Sequence, residues 1–417
     1  MRVFSRSWLS HRRDSEVLNM TESSLIRHNV WRLAFVQVVP ASLGFAVPYL
    51  VIFWQEQGLA FHQIMTLQAI YAVVNVLAEV PSGYIADRLG RGRSISLGLF
   101  LAAVGSFFYT LQPCYAHFVL TEVFLALGFA CISGADTALL YDSLRAAGRE
   151  FEFGQLRGRL VSVGMYAGGV AGLLGGILWQ YSPQATWMLI VLAFASGLGA
   201  SLGLVEAPHR RNGVTGCYST GAVFATARRE LLEDGVARIG LAIGTTIFVA
   251  LQVAFWLYQP YWQAAGIPVA FFGVLFALMN IVSAVASQRA ASFGGRLTRR
   301  GKLLFLVLGT GGALLLTGLG TGSWGGVLVT FGHQVFRGFR GIWLEEMLNH
   351  RFSSELRATM GSMVNLCNRL FYAVALIPIG YLVEGVGVGA SYQVLSLGTI
   401  GVGMVLIGRF LWKEQQC

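Results

Sequence analysis

Long runs of the chain contain no Asp, Glu, Lys or Arg, among them Leu33 to Gln55, Ser94 to Thr121, Leu160 to Val205, Ile239 to Gln288 and Leu303 to Phe336. About 20 apolar residues cross a bilayer, so several of these runs must hold two crossings each. Polar breaks divide the chain into twelve apolar stretches, predicted as helices over 31–54, 61–86, 94–112, 117–142, 157–180, 184–206, 236–260, 269–292, 303–321, 324–349, 357–382 and 390–411. Only 12% of the residues are charged and 55% are hydrophobic, against about 25% charged in soluble domains. A soluble fold could not hide that much apolar surface, which leaves an all-α polytopic membrane protein.

The two halves repeat each other. An offset of 208 places Trp54 on Trp262, Gln55 on Gln263, Gly58 on Gly266, Ala69 on Ala277, Arg88 on Arg296 and Arg91 on Arg299. A shorter offset of 204 places Gly134 on Gly338, Leu140 on Leu344, Asp142 on Glu346, and Asp136 on Arg340. Ordered offsets with small drift are the mark of duplicated six-helix halves. The expected organisation is a tail over 1–30, one bundle over 31–206, a connecting loop over 207–235, a second bundle over 236–412 and a short tail over 413–417.

The net charge of +10 could suggest a nucleic-acid partner, but its location argues otherwise. Alternate connections hold the basic residues: Arg88, Arg91 and Arg93; Arg145, Arg149 and Arg157; Arg210, Arg211, Arg228 and Arg229; Arg296, Arg299, Arg300 and Lys302; Arg351 and Arg357. The intervening connections, such as Gln57 to His62 and Gln263 to Pro268, have none. Insertion topology explains this, placing the basic loops and both termini in the cytoplasm. The loop run Ser219 to Asp234 is predicted as an amphipathic helix on the inner membrane surface. Five scattered cysteines, of which only Cys114 falls on the predicted outer face, support neither a disulfide framework nor a zinc site.

At the inner end of the second span stands Gly83-Tyr84-Ile85-Ala86-Asp87-Arg88-Leu89-Gly90-Arg91-Gly92-Arg93. It resembles the signature loop of the major facilitator superfamily, G-x-x-x-D-R-x-G-R-[RK], with Gly92 standing where a basic residue is expected. Glu79, Gly83 and Asp87 share one helical face, and the glycine permits close approach of a neighbouring helix. The resemblance implies twelve helices in two pseudo-symmetric six-helix bundles, with spans one, four, seven and ten lining a central cavity. It also implies a conformational latch at Gly83, Asp87 and Arg91, joining the inner ends of spans two and eleven when the protein opens outward. Arg88 either shares that latch or serves topology alone. The second-half copy, Gly294-Gly295-Arg296-Leu297-Thr298-Arg299-Arg300, keeps the basic residues and lacks the Asp.

A charge at the centre of a transmembrane helix costs about 2.5–3.5 kcal/mol on insertion scales, so each such residue is a functional candidate. Asp136 is the first proton-coupling candidate, with Glu79 and Glu122 beside it. His333, Arg337 and Arg340 fall along one face of the tenth span, and the resemblance turns Arg340 and Asp136 toward the same aqueous space. Gln37, Gln252 and Trp256, together with Asn365 and Arg369 in the eleventh span, complete the candidate cavity set. One reading has Arg337 and Arg340 bind an anionic or polar group while Asp136 exchanges a proton. The other has Asp136, Arg340, Asp142, Arg157, Glu345 and Glu346 hold the halves together in an ion-pair network that never touches substrate. Kinks are expected at Pro40 and Pro48, and close packing along Gly164 to Gly176.

The expected function is secondary transport across a bacterial inner membrane, with a small-molecule substrate, a coupling proton and the lipid bilayer as partners. The chain is expected to act as a monomer, with no cofactor, no metal and no nucleic acid. No Walker phosphate loop is present, and no HExxH or GxSxG catalytic motif, which sets an enzyme last. Export stands ahead of uptake because the cavity set mixes aromatics with few charges. An uptake permease and a non-transporting receptor or assembly factor on the same scaffold remain the alternatives.

Overall fold

A computed structural model of the chain describes residues 22–206, 220–349 and 357–414. Most of the predicted tail, Arg210, Arg211, Arg351, Cys217 and Cys417 lie outside them. Regular structure among the described residues is entirely helical: α1 (Glu22–Ala41), α2 (Leu50–Glu56), α3 (Phe61–Leu89), α4 (Arg91–Phe108), α5 (Tyr115–Ile132), α6 (Ala135–Ala146), α7 (Phe153–Tyr181), α8 (Pro183–Ser201), α9 (Thr220–Glu233), α10 (Gly235–Ala264), α11 (Phe272–Gly294), α12 (Arg299–Leu319), α13 (Trp324–Asn349) and α14 (Arg357–Glu414). Nine helical stretches among the described residues are long and apolar enough to cross a membrane. The helices α4 and α13 occupy the third and tenth predicted places, their apolarity diluted by Arg91 and Arg93 in one and by Arg337, Arg340 and Glu346 in the other. The last two predicted stretches lie on α14, which bends at Gly387, where φ is +81°. The predicted amphipathic loop helix is α9.

Helix starts follow local chemistry. Ser182 caps α8 through Ala185 N at 3.1 Å with Pro183 in the first turn. Asp234 caps α10 through Val236 N and Ala237 N. These side chains satisfy amide groups that have no partner inside the helix.

The sequence repeat survives as matched turns. At the end of α2, Gly58 N donates to Gln55 O at 2.9 Å and Leu59 N to Trp54 O at 3.0 Å; at the end of α10, Gly266 N donates to Gln263 O and Ile267 N to Trp262 O, each at 3.0 Å. Gly58 and Gly266 both take positive φ, +81° and +73°, which only glycine adopts without strain. The duplicated Trp-Gln…Gly pattern is therefore a duplicated helix stop.

Contacts divide the chain into two compact units, one comprising Met1–Phe45, Leu77–Ala171 and Tyr181–Val214, the other Ala46–Val76, Gly172–Gln180 and Thr215–Cys417. The contact boundary thus differs from the sequence boundary at the connecting loop. The expected kinks at Pro40 and Pro48 coincide with two short 3-10 turns between α1 and α2, Ser42–Phe45 in the first unit and Val47–Tyr49 in the second. Such breaks leave amides unpaired, and Gln259 of α10 supplies the partners: its Oε1 accepts from Val51 N at 2.8 Å and its Nε2 donates to Val47 O at 2.9 Å. A backbone break inside the membrane persists only where a neighbouring helix satisfies it in this way. In the expected close-packed run of α7, Gly169 faces open space, whereas Gly172 and Gly176 act by packing. A side chain at Gly176 would come within 2.6 Å of Ala270 O, and one at Gly273 of α11 would overlap the Gly172 carbonyl.

The first unit rests on equally close contacts. A side chain at Gly98 of α4 would lie 2.5 Å from the Gly128 carbonyl of α5, and one at Gly128 would lie 2.6 Å from Gly98 O. Small residues at facing positions let the two backbones touch, the packing that membranes favour.

Gly273→Val should destabilise the protein by about 1–3 kcal/mol through overpacking. Gly312→Val, where a side chain would meet nothing within 4 Å, should change stability far less. Thermal unfolding of the two detergent-purified variants checks the difference.

Candidate functional site

The first unit builds a polar cluster around Asp136. The predicted fourth span is not one helix: α5 stops at Ile132, Gly134 takes φ +81°, and α6 starts at Ala135. Asp136 is thereby placed in the first turn of α6, where a helix N-terminus favours negative charge. Its side chain is buried, and four donors reach it. Thr137 N and Oγ1 donate to Oδ1 at 2.5 and 3.0 Å, Arg157 Nη1 of α7 to Oδ2 at 2.9 Å, and Gln37 Nε2 of α1 also to Oδ2. A buried carboxylate is tolerated when a cation and further donors satisfy it. The cation bonded to Asp136 is Arg157, and three spans are tied at one carboxylate.

The signature loop serves the same unit. Arg91 pairs with Asp142 of α6 and donates to Ala138 O at 2.5 Å. Gly92, the departure from the family pattern, is buried, and its N–H donates to Glu206 Oε1 at 2.7 Å. A side chain at Gly90 would also crowd that carboxylate, at 2.7 Å. A side chain at 92 would crowd Leu204 Cβ at 3.3 Å and Glu206 Oε1 at 3.4 Å. The rest of the predicted latch is uncovered: a side chain at Gly83 would meet nothing within 4 Å, and Asp87 is exposed. Arg88 lies 4.7 Å over the Tyr84 ring. Glu79 on the same face is exposed, with no side-chain hydrogen bond or ion pair among the described residues. Glu122, by contrast, is buried against Tyr109, whose hydroxyl donates to it at 3.4 Å.

The second unit holds the basic candidates, and they part company. His333 is fully buried, its Nδ1 at 3.1 Å from the Tyr258 hydroxyl and its Nε2 at 3.2 Å from Thr317 Oγ1. Both nitrogens are used inside the unit. Arg337, one turn on, is exposed midway along α13, and its nearest side-chain acceptor is Gln334 Oε1 at 3.5 Å. Arg340 is half-buried, 5.0 Å over the Phe248 ring and 3.5 Å from Gly244 O. It lines a cavity of about 140 Å³ together with Thr245, Asn365 and Asn368. Asn368 accepts from Thr245 at 2.9 Å, which leaves exposed Asn365 as the open polar group on that wall. Trp256 is buried with its Nε1 donating to Tyr372 OH at 2.6 Å. Gln252 and Arg369 are half-buried.

Sequence reasoning missed two residues of consequence. Gln259 is uncharged and sits among the aromatic residues Trp256, Tyr258, Tyr261 and Trp262, yet it holds the α1–α2 break. Thr245 carries no charge to mark it, yet it orients Asn368. The signal available for Gln259 was its spacing of 208 residues from Val51, the same offset as the repeat.

The Major Facilitator Superfamily profile matches residues 33–375. The quinolone resistance protein NorA of Staphylococcus aureus strain MRSA252 is 21% identical over 248 residues, covering 56% of this chain and 61% of that protein. The alignment therefore spans less than two thirds of the curated relative. Among solved structures, the nucleoside transporter NupG aligns with a TM-score of 0.75 at 14% identity, covering 93% of this chain and 98% of NupG. A D-xylose-proton symporter aligns at 0.69 and 14% identity, over 92% and 96% of the two chains. These likenesses establish a shared fold.

Asp136→Asn and Arg157→Gln should each destabilise the protein by about 1–3 kcal/mol, because each strands a polar partner. The double variant should lose less than their sum, with a coupling of about 1 kcal/mol or more. A double-mutant cycle on unfolding midpoints measures it; additive losses would remove the pair from the account.

Proposed function

The chain belongs to the Major Facilitator Superfamily, and on that premise we propose that it is a secondary transporter that exports a small solute by alternating access, driven by a proton gradient across a bacterial inner membrane. One observation carries the reading. Arg337 stands exposed midway along α13, the helix in the tenth predicted place, with no ion pair among the described residues. An arginine at that depth costs about 2.5–3.5 kcal/mol unless water or a ligand meets it. Arg337 therefore faces a wet pathway and offers a charge to an anionic or polar group of the solute, with Arg340 and Asn365 on the same unit as secondary contacts.

Proton exchange needs a carboxylate that water can reach. Glu79 meets that condition, being exposed on α3. Asp136 is engaged by four donors, so it serves as the joint between α1, α6 and α7, and it would carry a proton only after releasing Arg157. Gly83, Asp87 and Arg91 keep the role of conformational latch that membership of the family suggests for them. The name of the curated relative, a resistance protein, favours efflux over uptake.

Reconstituted into proteoliposomes, the protein should move solute only while a pH gradient is imposed. Arg337→Ala should lower transport at least tenfold, and Arg337→Lys should recover part of it. Glu79→Gln should abolish the dependence on the gradient, with Asp136→Asn reducing the amount of folded protein instead. Gradient-independent flux in the unmodified protein would overturn proton coupling, and no flux of any member of an anionic metabolite and antibiotic panel would favour a receptor role.

A further inference from the structure

The second copy of the signature loop has no part in the transport reading, yet a cavity opens beside it. About 220 Å³ lies between the start of α12 and the end of α13, with Arg299 and Lys302 at its mouth and Leu303, Leu306 and Trp343 along its wall. We propose that this cavity binds the phosphodiester headgroup of an anionic phospholipid, the phosphate against Arg299 and Lys302 and the first methylenes along Leu303, Leu306 and Trp343.

Three features support the assignment. First, depth: α12 is long and apolar enough to span a membrane and begins at Arg299, so the cavity lies where the hydrocarbon ends and headgroups begin. α12 also exposes Leu308, Leu316 and Leu319, an apolar face for lipid chains. Second, charge: Arg296, Arg299 and Arg300 are exposed and Lys302 stands behind them. Glu346 lines the same cavity and is bonded to Lys302 Nζ at 2.8 Å, and Arg299 also has an interaction within the protein, so a phosphate would exchange existing contacts at both. Basic residues at this level attract anionic lipid by about 1 kcal/mol each. Third, form: Trp343 is anchored by its Nε1 donating to Ala290 O at 2.8 Å and stacks on Phe339 at 5.0 Å, so the apolar wall is rigid.

The ion pair gives the test a sign. A phosphate must compete with Glu346 for Lys302, so Glu346→Gln should strengthen lipid binding, whereas Arg299→Gln with Lys302→Gln should weaken it roughly thirtyfold, two interfacial charges at their ordinary worth. The measurement is phosphatidylglycerol retained by the full-length protein, by native mass spectrometry after extraction from vesicles of phosphatidylcholine and phosphatidylglycerol in equal parts. Arg409→Gln, an exposed arginine on α14, makes a matched loss of charge elsewhere and should leave retention unchanged. Equal retention by the unmodified protein and the double variant would overturn the proposal, as would a loss of retention in Glu346→Gln. Displacement of the lipid by millimolar inorganic phosphate would also overturn it, since the site would then recognise free phosphate and not a lipid.

Discussion

The refusal of the bilayer interior to hold an unpaired charge or an unpaired amide governs this molecule. Each unsatisfied polar group in hydrocarbon costs several kcal/mol, so every polar feature at depth has to have a partner, water or a reason. The Asp136 cluster shows the first solution. A break at Gly134 moves the carboxylate to a helix start, and Arg157, Gln37 and Thr137 complete it. Gln259 shows the same rule applied to backbone, with one side-chain amide closing both sides of the α1–α2 break. His333 shows it in the core, where Tyr258 and Thr317 take up both ring nitrogens.

Against that rule the exceptions define the candidate site. Arg337 and Glu79 are charged, reachable and placed on spans, and neither has an ion pair among the described residues. Satisfied charges such as Asp136 hold helices together, whereas open ones are free to meet a solute or a proton. Asp136 pairs with Arg157 and Asp142 with Arg91, each within one unit, while a binding role for Arg337 belongs to the proposal.

The repeat makes the two halves comparable and also shows where they diverged. The turns at Gly58 and Gly266 match bond for bond. At Gly134 and Gly338 they part: one glycine takes positive φ and breaks a helix, and the other stays helical, where a side chain would come within 2.6 Å of Ser283 O. The same residue type at paired positions serves conformational freedom in one place and close approach in the other. A similar divergence separates the signature loop, where Gly92 binds Glu206, from its copy, where a basic mouth opens onto an apolar wall.

The sequence alone determined the helices, their approximate ends, the duplicated halves and the family. Insertion into a membrane depends on composition summed over about 20 neighbouring residues, a quantity written locally along the chain. It also marked nearly every charged side chain that matters, because charge in an apolar run is conspicuous. The tertiary structure alone decided what each charge meets. That Asp136 meets Arg157, that His333 is sealed in, that Gln259 mends a broken helix and that Arg337 stays open all depend on which helix faces which. Such choices rest on distances of a few ångströms between residues far apart in the chain, and no local pattern of hydrophobicity records them.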